Sequence, residues 1–435
     1  MTLSKRFGIL GGGIAGLSLS YFLGAESEVL EQSGKTGGLC QSYTKDGFTY
    51  DMGGHVIFSK DKEVVELELG LLKDNVAEHF RRNSIWYKNR HVKYPFENGL
   101  SALDKEDIFD CLYNFVYNPA REQHNFEDWI YNTFGSGLAE KYLIPYNRKI
   151  WKADLKEMAT DWVERIPKPP VEDIFKSALG ITTEGYLHQL YFHYPKEGGF
   201  ESLPAAFQTA SQGAVRTNFR VKSLRKEKHA WVVSNGQEEV EYEKLICTIP
   251  LFELFAALPN VPPNVKRAVD SLQHNSLIVV MVGVSGNELR QRFGVYIPAG
   301  DLLFHRLCFY GYFGDQYAPS GTSSIVAEIT AREGDATWLL SDEQIVARTV
   351  EGLIKEGFIN RKQILTTDIQ RTRYAYVIYD LHRARNLDLL KNYCRELGIE
   401  LCGRFARFEY VNSDAVVRSA KSLADRLLEA EAQRT

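Results

Sequence analysis

Residues 51 to 60 read DMGGHVIFSK, where Gly53 and Gly54 precede His55, a residue that can gain or release a proton near neutral pH. Two adjacent glycines mark a place where the main chain passes close to another group, although a histidine beside glycines is also a common structural arrangement. A second cluster, Gly11-Gly12-Gly13-Ile14-Ala15-Gly16, has the spacing of a dinucleotide-binding turn. It follows the apolar run RFGIL and leads into a helical pattern ending near Leu23. In that strand-turn-helix order, Gly11, Gly13 and Gly16 let the backbone approach a pyrophosphate, and the helix N-terminus supplies N–H groups and positive dipole. EVL then reads as a second strand, with Glu31 at its end, where a carboxylate accepts from a ribose hydroxyl.

The surrounding chain must fold around these turns. Its 435 residues, 44% hydrophobic and 25% charged, are enough for two or three closely packed units. A net charge of −4 and the lack of any polybasic block argue against nucleic acid as a partner. Cys40, Cys111, Cys247, Cys308, Cys394 and Cys402 are scattered without metal-ligand spacing, so neither a metal site nor a disulfide framework is expected, and reduced thiols fit a cytoplasmic protein. The apolar N-terminal stretch FGILGGGIAGLSLSYFLG carries specific glycine spacing and runs into the fold, so it reads as part of the domain, and no other window is long and apolar enough for a membrane span. Residues 61 to 200 are mostly helical by pattern, clearest in KEDIFDCLYNFVYN, NFEDWIYNTFG and SGLAEKYLIPYNRKIW. Around 215 to 250 the pattern alternates through a meander and ends in the buried strand LICTIP. GRFARFEYVNSD reads as a strand followed by a helix capped by Ser413 or Asp414, which would also suit a plain amphipathic C-terminal helix.

The layout after Glu31 favours FAD over NAD. QSGKTGGLCQSY continues the loop through Gly37, Gly38 and Leu39, and FTYDMGGHVIF returns with the second glycine pair. This resembles the flavoprotein group that includes amine oxidases, protoporphyrinogen oxidase and nucleotide-sugar mutases. In that group Val221 would lie against the adenine. Three motifs are more specific: GGHVIF, YPFEN at 94 to 98, and YLIPYNRKIW at 142 to 151. In this order they resemble the UDP-galactopyranose mutase family, closer to its eukaryotic-type branch, over nearly the whole chain.

The resemblance implies an α/β fold: a Rossmann-like FAD-binding domain with an inserted helical substrate domain and an antiparallel β-sheet domain. The expected division is 1–60 for the FAD-binding βαβ part, 61–200 for a mainly helical substrate domain, 201–260 for the FAD-binding continuation with its meander, 261–380 for the antiparallel substrate sheet, and 381–435 for the C-terminal FAD-binding strand and helix. Tyr94, Phe96, Asn147 and Trp151 are implied to hold the uridine; without the family, Tyr94-Pro95-Phe96 would read as loop packing. Glu97 departs from the family's glutamine, and a carboxylate can only accept, so a cytosine base with its amino donor stays open beside uracil. Arg165 and Arg306 match arginines that neutralise the substrate diphosphate, a task suited to a planar cation that keeps its proton. Tyr296, Tyr376 and Tyr410 complete the implied clamp. A further family tyrosine corresponds to Tyr312 or is replaced by Phe313, and the family's tryptophan beside Tyr296 is missing, with Gly294 or Val295 in its place. Arg404 is implied to contact the FAD pyrophosphate, with Asn412 and Asp414 near the flavin ring and a helix N-terminus aimed at it. Gly53, Gly54 and His55 are implied to lie beside the reactive edge of the flavin.

The activity implied is a redox-neutral interconversion of pyranose and furanose forms of a nucleotide sugar, most directly UDP-galactopyranose and UDP-galactofuranose, through attack of reduced-flavin N5 on the anomeric carbon. It would make the protein a cytoplasmic isomerase serving cell-surface polysaccharide synthesis, supplied with electrons by an unidentified reductant such as NAD(P)H, with homo-oligomerisation open. The rival reading is an amine-oxidase-like FAD oxidoreductase, which needs the glycine loop and Glu31 but neither YPFEN nor PYNRKIW. A flavin-binding scaffold without activity is the third.

Overall fold

RFGIL sits at the centre of the first of two large sheets. The computed structural model describes residues 5–184 and 190–432. In it the strand Lys5–Leu10 pairs in parallel with Ser27–Leu30 on one side and Glu239–Cys247 on the other. Ala214–Arg216 extends the sheet beyond Ser27–Leu30, and Ile399–Leu401 joins Glu239–Cys247, both in parallel. The expected meander, Ser223–Glu227, Ala230–Ser234 and Glu239–Cys247, is antiparallel. Because strand side chains alternate, the sheet feeds two cores. Leu10, Leu30, Leu245 and Cys247 pack with Phe126, Trp129 and Trp151 of a helical layer, whereas Phe7, Ile9, Val29 and Ile246 pack toward the second sheet.

The second sheet runs in the order Ile364–Val377, His274–Ser285, Thr322–Ala331, Arg306–Cys308, Gly294–Tyr296, Asn83–Tyr87, Arg90–Lys93. All its pairs are antiparallel except Gly294–Tyr296 with Asn83–Tyr87. HNSLIVVMVGVS is buried on both faces: Leu277, Val279 and Met281 face the core shared with the first sheet, and Ile278, Val280 and Val282 face a separate core that includes Ile345 and Leu353 of the helix Asp342–Lys355. The helical layer comprises Lys105–Val116, Phe126–Leu138, Ile144–Trp151 and Val171–Ala178. Gly135 (φ 71°) lets two of these helices touch, since a Cβ there would lie 2.1 Å from the Asn114 carbonyl oxygen.

Two expectations are corrected. The second sheet is not confined to 261–380, because Asn83–Tyr87 and Arg90–Lys93, from the segment 61–200, complete it. GRFARF is not a strand; the strand ends at Leu401, and residues 404–408 form turns, with Phe408 in the left-handed region at φ 53°. The last helix starts at Ser413, so neither Ser413 nor Asp414 precedes it as a cap, and Asn412 occupies that position.

Candidate active site

The dinucleotide turn is built without side chains. Gly11 (φ 105°) donates to the Leu30 carbonyl at 2.8 Å, and a Cβ on Gly16 would lie 1.9 Å from the Gly11 oxygen, so only glycine lets the helix Ile14–Leu23 begin there. Glu31 stands at the strand end as expected. Its carboxylate accepts from the Gly12 N–H at 2.8 Å and from the Ser33 N–H and Oγ at 2.9 and 2.8 Å, which steadies the loop. Gly37 donates to the Gly12 oxygen at 2.8 Å, and Gly13 and Gly38 run side by side, with a Gly13 Cβ meeting nothing nearer than the Gly38 Cα at 4.0 Å. Gly13 caps the helix with no side-chain hydrogen bond, which leaves its first N–H groups for an anion. This cradle fits a pyrophosphate. Val221 lies just beyond Phe219, whose N–H donates to the Glu31 carbonyl at 2.8 Å.

A cavity of about 750 Å³ lies where the helical layer and the second sheet meet the first. It brings together Leu39, Gly53, Gly54 and His55 from the two glycine loops with Arg404 from the turn after the last strand and Asn412 and Asp414 at the start of the last helix. It also gathers Tyr94, Glu97, Asn147, Trp151, Arg165, Tyr296, Arg306, Tyr376 and Tyr410. Phe96 does not reach it. At 1% exposure it lies under Tyr142, stacked at 5.1 Å, so YPFEN presents Tyr94 and Glu97 while Phe96 supports them from the core. Tyr312 and Phe313 are also outside: the Tyr312 hydroxyl donates to the Phe80 carbonyl at 2.6 Å, and Phe313 stacks on Tyr194 at 3.8 Å. At the position of the missing tryptophan, a Cβ on Gly294 would lie 2.5 Å from Asn83 Oδ1, and Val295 is buried on the other face.

One end of the cavity is aromatic. Tyr94 packs on Tyr296 at 4.9 Å, Tyr146 meets Tyr296 edge-on at 5.5 Å, and Tyr142 stacks on Tyr146 at 5.4 Å. Tyr142 and Tyr146 belong to the same YLIPYNRKIW motif as Asn147 and Trp151 but were not singled out in the sequence. Asn147 is held by its own helix, donating to the Leu143 carbonyl at 2.8 Å and accepting from Trp151 Nε1 at 3.0 Å. Glu97 is buried in this wall, and burial pushes its carboxyl up to about 7.

The middle of the cavity is cationic. Arg165 donates to the Tyr410 carbonyl and to Asn412 Oδ1 at 2.5 Å, with its guanidinium 4.0 Å from the Tyr410 ring. Arg404 donates to the carbonyls of Val411 and Ala375, at 2.6 and 3.2 Å. Both arginines thus bond neutral oxygens and keep their charge available; burial and then the nearby Arg165 lower the pKa of Arg404. Arg306 differs. Its Nη2 donates to both carboxylate oxygens of Glu328 at 2.7 Å, an acid the sequence reading missed although it is the lone charge in the buried strand TSSIVAEITA. Burial works against the Arg306 charge, but Glu328 more than offsets it.

Gly53 and Gly54 also answer to this pair. Cβ atoms there would lie 3.1 Å from Leu277 Cδ2 and 3.0 Å from Arg306 Nη2, so the loop rests directly on the second sheet. His55 stacks on Phe200 at 5.0 Å with Nδ1 3.0 Å from the Gly53 oxygen. Burial, then Arg404 and Arg306, hold it down to about 3, so its imidazole is neutral. Among the described residues no cluster of potential metal ligands occurs and no helix is long and apolar enough to cross a membrane.

A model of the family described as flavin containing amine oxidoreductase matches residues 14–428. Among solved structures, a reduced UDP-galactopyranose mutase superposes with a TM-score of 0.89 at 23% identity, covering 99% of this chain and 95% of that one. A structure from Exiguobacterium sp. 255-15 named as a protoporphyrinogen oxidase gives 0.78 at 17% identity, covering 98% and 99%. Coproporphyrinogen III oxidase of Staphylococcus aureus (strain NCTC 8325 / PS 47) is 33% identical over 104 residues, 22% of this chain and 22% of that protein's length. These structural likenesses establish a shared fold.

Proposed function

The chain belongs to the flavin containing amine oxidoreductase family and its cofactor is FAD; from that premise we propose that it is a flavin-dependent nucleotide-sugar mutase that interconverts pyranose and furanose forms, with UDP-galactopyranose as the first candidate substrate. The observation that carries this reading is that one cavity gathers three kinds of group: tyrosines with Glu97 at its aromatic end, the arginines Arg165 and Arg306, and the glycine–histidine loop. A nucleoside diphosphate sugar has matching parts, a base that stacks, a charged diphosphate, and a sugar to be placed beside the flavin.

Reduced FAD would supply the nucleophile for the anomeric carbon. The protein's part is to hold the base between tyrosines, neutralise the leaving diphosphate through Arg165 with Arg306 as a second contact, and keep a neutral His55 at the sugar end. Glu97 bears on the base. As a neutral acid it donates to uracil O4 and accepts from N3–H; ionised, it accepts from the amino group of cytosine. With its carboxyl near 7 both forms are present around neutral pH, so Glu97 admits either base and UDP and CDP sugars are tested side by side.

A second reading is favoured by the same end of the cavity. Tyrosine faces around a carboxyl also suit an organic cation, which would make the protein an amine-oxidising flavoenzyme. The test is to reduce the FAD-loaded protein anaerobically and supply UDP-galactopyranose and CDP- and dTDP-linked pyranoses, and separately to give the oxidised protein a set of primary amines in air. Furanose products on chromatography support the mutase. Hydrogen peroxide from an amine in air, without furanose from any nucleotide sugar, would establish the oxidase instead.

A further inference from the structure

Glu328 is fully buried, in the middle of the strand Thr322–Ala331, directly opposite Arg306 in the antiparallel register. Directly opposed residues share a face of the sheet, so both side chains point to the same place. Donors from three positions converge on this carboxylate. Arg306 Nη2 reaches both oxygens at 2.7 Å, the Gly54 N–H donates to Oε1 at 2.8 Å, and Cys308 Sγ lies 3.4 Å from the same oxygen. His305, on the neighbouring residue, has Nε2 3.7 Å away. Gly54 is tight against this contact, since a Cβ there would lie 3.0 Å from Arg306 Nη2, whereas Gly53 is favoured by its φ of 90°. Arg306 itself lines the cavity, and its Nε is buried with no hydrogen-bond partner. The side chain nevertheless stays 23% exposed where it lines the cavity, so an anion in the cavity can meet the guanidinium from that side.

We infer that Glu328 is a positioning residue that couples the two halves of the site: it holds the Gly54 N–H and the Arg306 guanidinium on one carboxylate, so that an anion drawing Arg306 toward the cavity also releases the glycine–histidine loop. The inference rests on the proposed function for the identity of the anion, a diphosphate, and on FAD lying beside that loop. A purely structural Glu328 would neutralise Arg306 and do nothing more. The two differ in what the flavin feels when an anion binds.

The test uses the full FAD-loaded chain. UDP is titrated in while the flavin midpoint potential is followed. In the wild type the inference expects UDP to bind one redox state about tenfold more tightly than the other, which appears as a ~30 mV shift of the two-electron potential. Glu328→Gln keeps the shape and one acceptor for Gly54 but removes the charge that holds Arg306. It is expected to bind UDP more tightly and to lose the UDP-induced shift. Should the buried single change prevent folding, Glu328→Gln combined with Arg306→Met removes both charges and must lose the shift as well. A shift that persists at its full size in either folded variant overturns the coupling. If wild-type protein does not bind UDP, the nucleotide-sugar reading fails on its own, and inorganic pyrophosphate replaces UDP as the probe. No shift in the wild type with either anion overturns the inference itself.

Discussion

Two titrating groups in the cavity make opposite demands at the scale of single residues. Glu97 rises from about 4.5 to about 7 because burial disfavours its charge. A carboxyl raised by folding contributes stability below its unfolded value and loses it as pH climbs through the folded one. Glu97→Gln removes a group that must either stay protonated or ionise at a cost. The variant is therefore expected to match wild type near pH 5 and to exceed it near pH 8, by on the order of 2–3 kcal/mol at most; calorimetric melting at both pH values checks this, and an equal difference at both would refute it. His55 is depressed from 6.5 to about 3, by burial first and then Arg404 and Arg306. Its contribution is present above pH 6.5 and lost as pH falls toward 3, the reverse of Glu97. In the folded protein, ¹⁵N-histidine NMR is expected to show His55 neutral from pH 5 to 9, and a titration near 6.5 would show that the ring is neither desolvated nor reached by the two arginines. Both residues were visible in the sequence, as an acid in YPFEN and a histidine after glycines. Their protonation was not, because it depends on burial, and for His55 also on Arg404 and Arg306, which only folding brings about.

Elements differ in how plainly the sequence announces them. The strand-turn-helix at the N-terminus is legible because its signal is local: an apolar run, glycines where a Cβ would collide, and a helical pattern, all within residues 5–23. Asn83–Tyr87 and Arg90–Lys93 were not, since NSIWY and RHVK are too short to show a period and Gly294–Tyr296, which joins Asn83–Tyr87 to the rest of the sheet, is about two hundred residues away. GRFARF failed for another reason. Phe405 and Phe408 are both buried, but in a turn that reverses through Phe408, so apolar spacing there records packing rather than a strand. The helix Lys62–Leu72 carries a hidden cost of its own. Val64, Glu68 and Leu72 form its inner stripe, and both Glu68 carboxylate oxygens are buried without hydrogen-bond partners. Burial, with Asp414 adding to it, raises Glu68 to about 8, so its stability contribution is lost as pH rises through 8. Glu68→Leu is expected to stabilise the protein by roughly 1–3 kcal/mol at pH 9 and by less at pH 5. Chemical denaturation at the two pH values decides it, and a destabilised variant at pH 9 would mean that the carboxylate has a partner the inner stripe does not reveal.

The cavity belongs to no single segment of the molecule. His55 comes from the first glycine-rich third, Arg165 from the helical layer, Arg306 and its partner Glu328 from the second sheet, and Arg404 from the turn after the last strand. A motif can nominate each residue, but the contacts between them are long-range, and this is why Glu328 and the inward orientation of Phe96 were not legible. The same interleaving sets how the protein unfolds. A helical insertion folding as its own unit would have a core of its own, yet Trp129 and Trp151 share one core with Leu10 and Leu245 of the first sheet, and Ile9 shares another with Leu277 and Val279 of the second. The layer and the sheets should therefore lose structure together, even though chains of this size often unfold in stages. Single-tryptophan variants provide the reporters: Trp151 for the helical layer, Trp231 for the first sheet, and Trp86 for the strand that the middle segment lends to the second. Their fluorescence and the release of FAD are expected to follow one denaturant midpoint. Two separated midpoints, with Trp151 changing while Trp86 and Trp231 do not, would show that the shared cores do not bind the layers into one cooperative unit and that the cavity can open without the sheets.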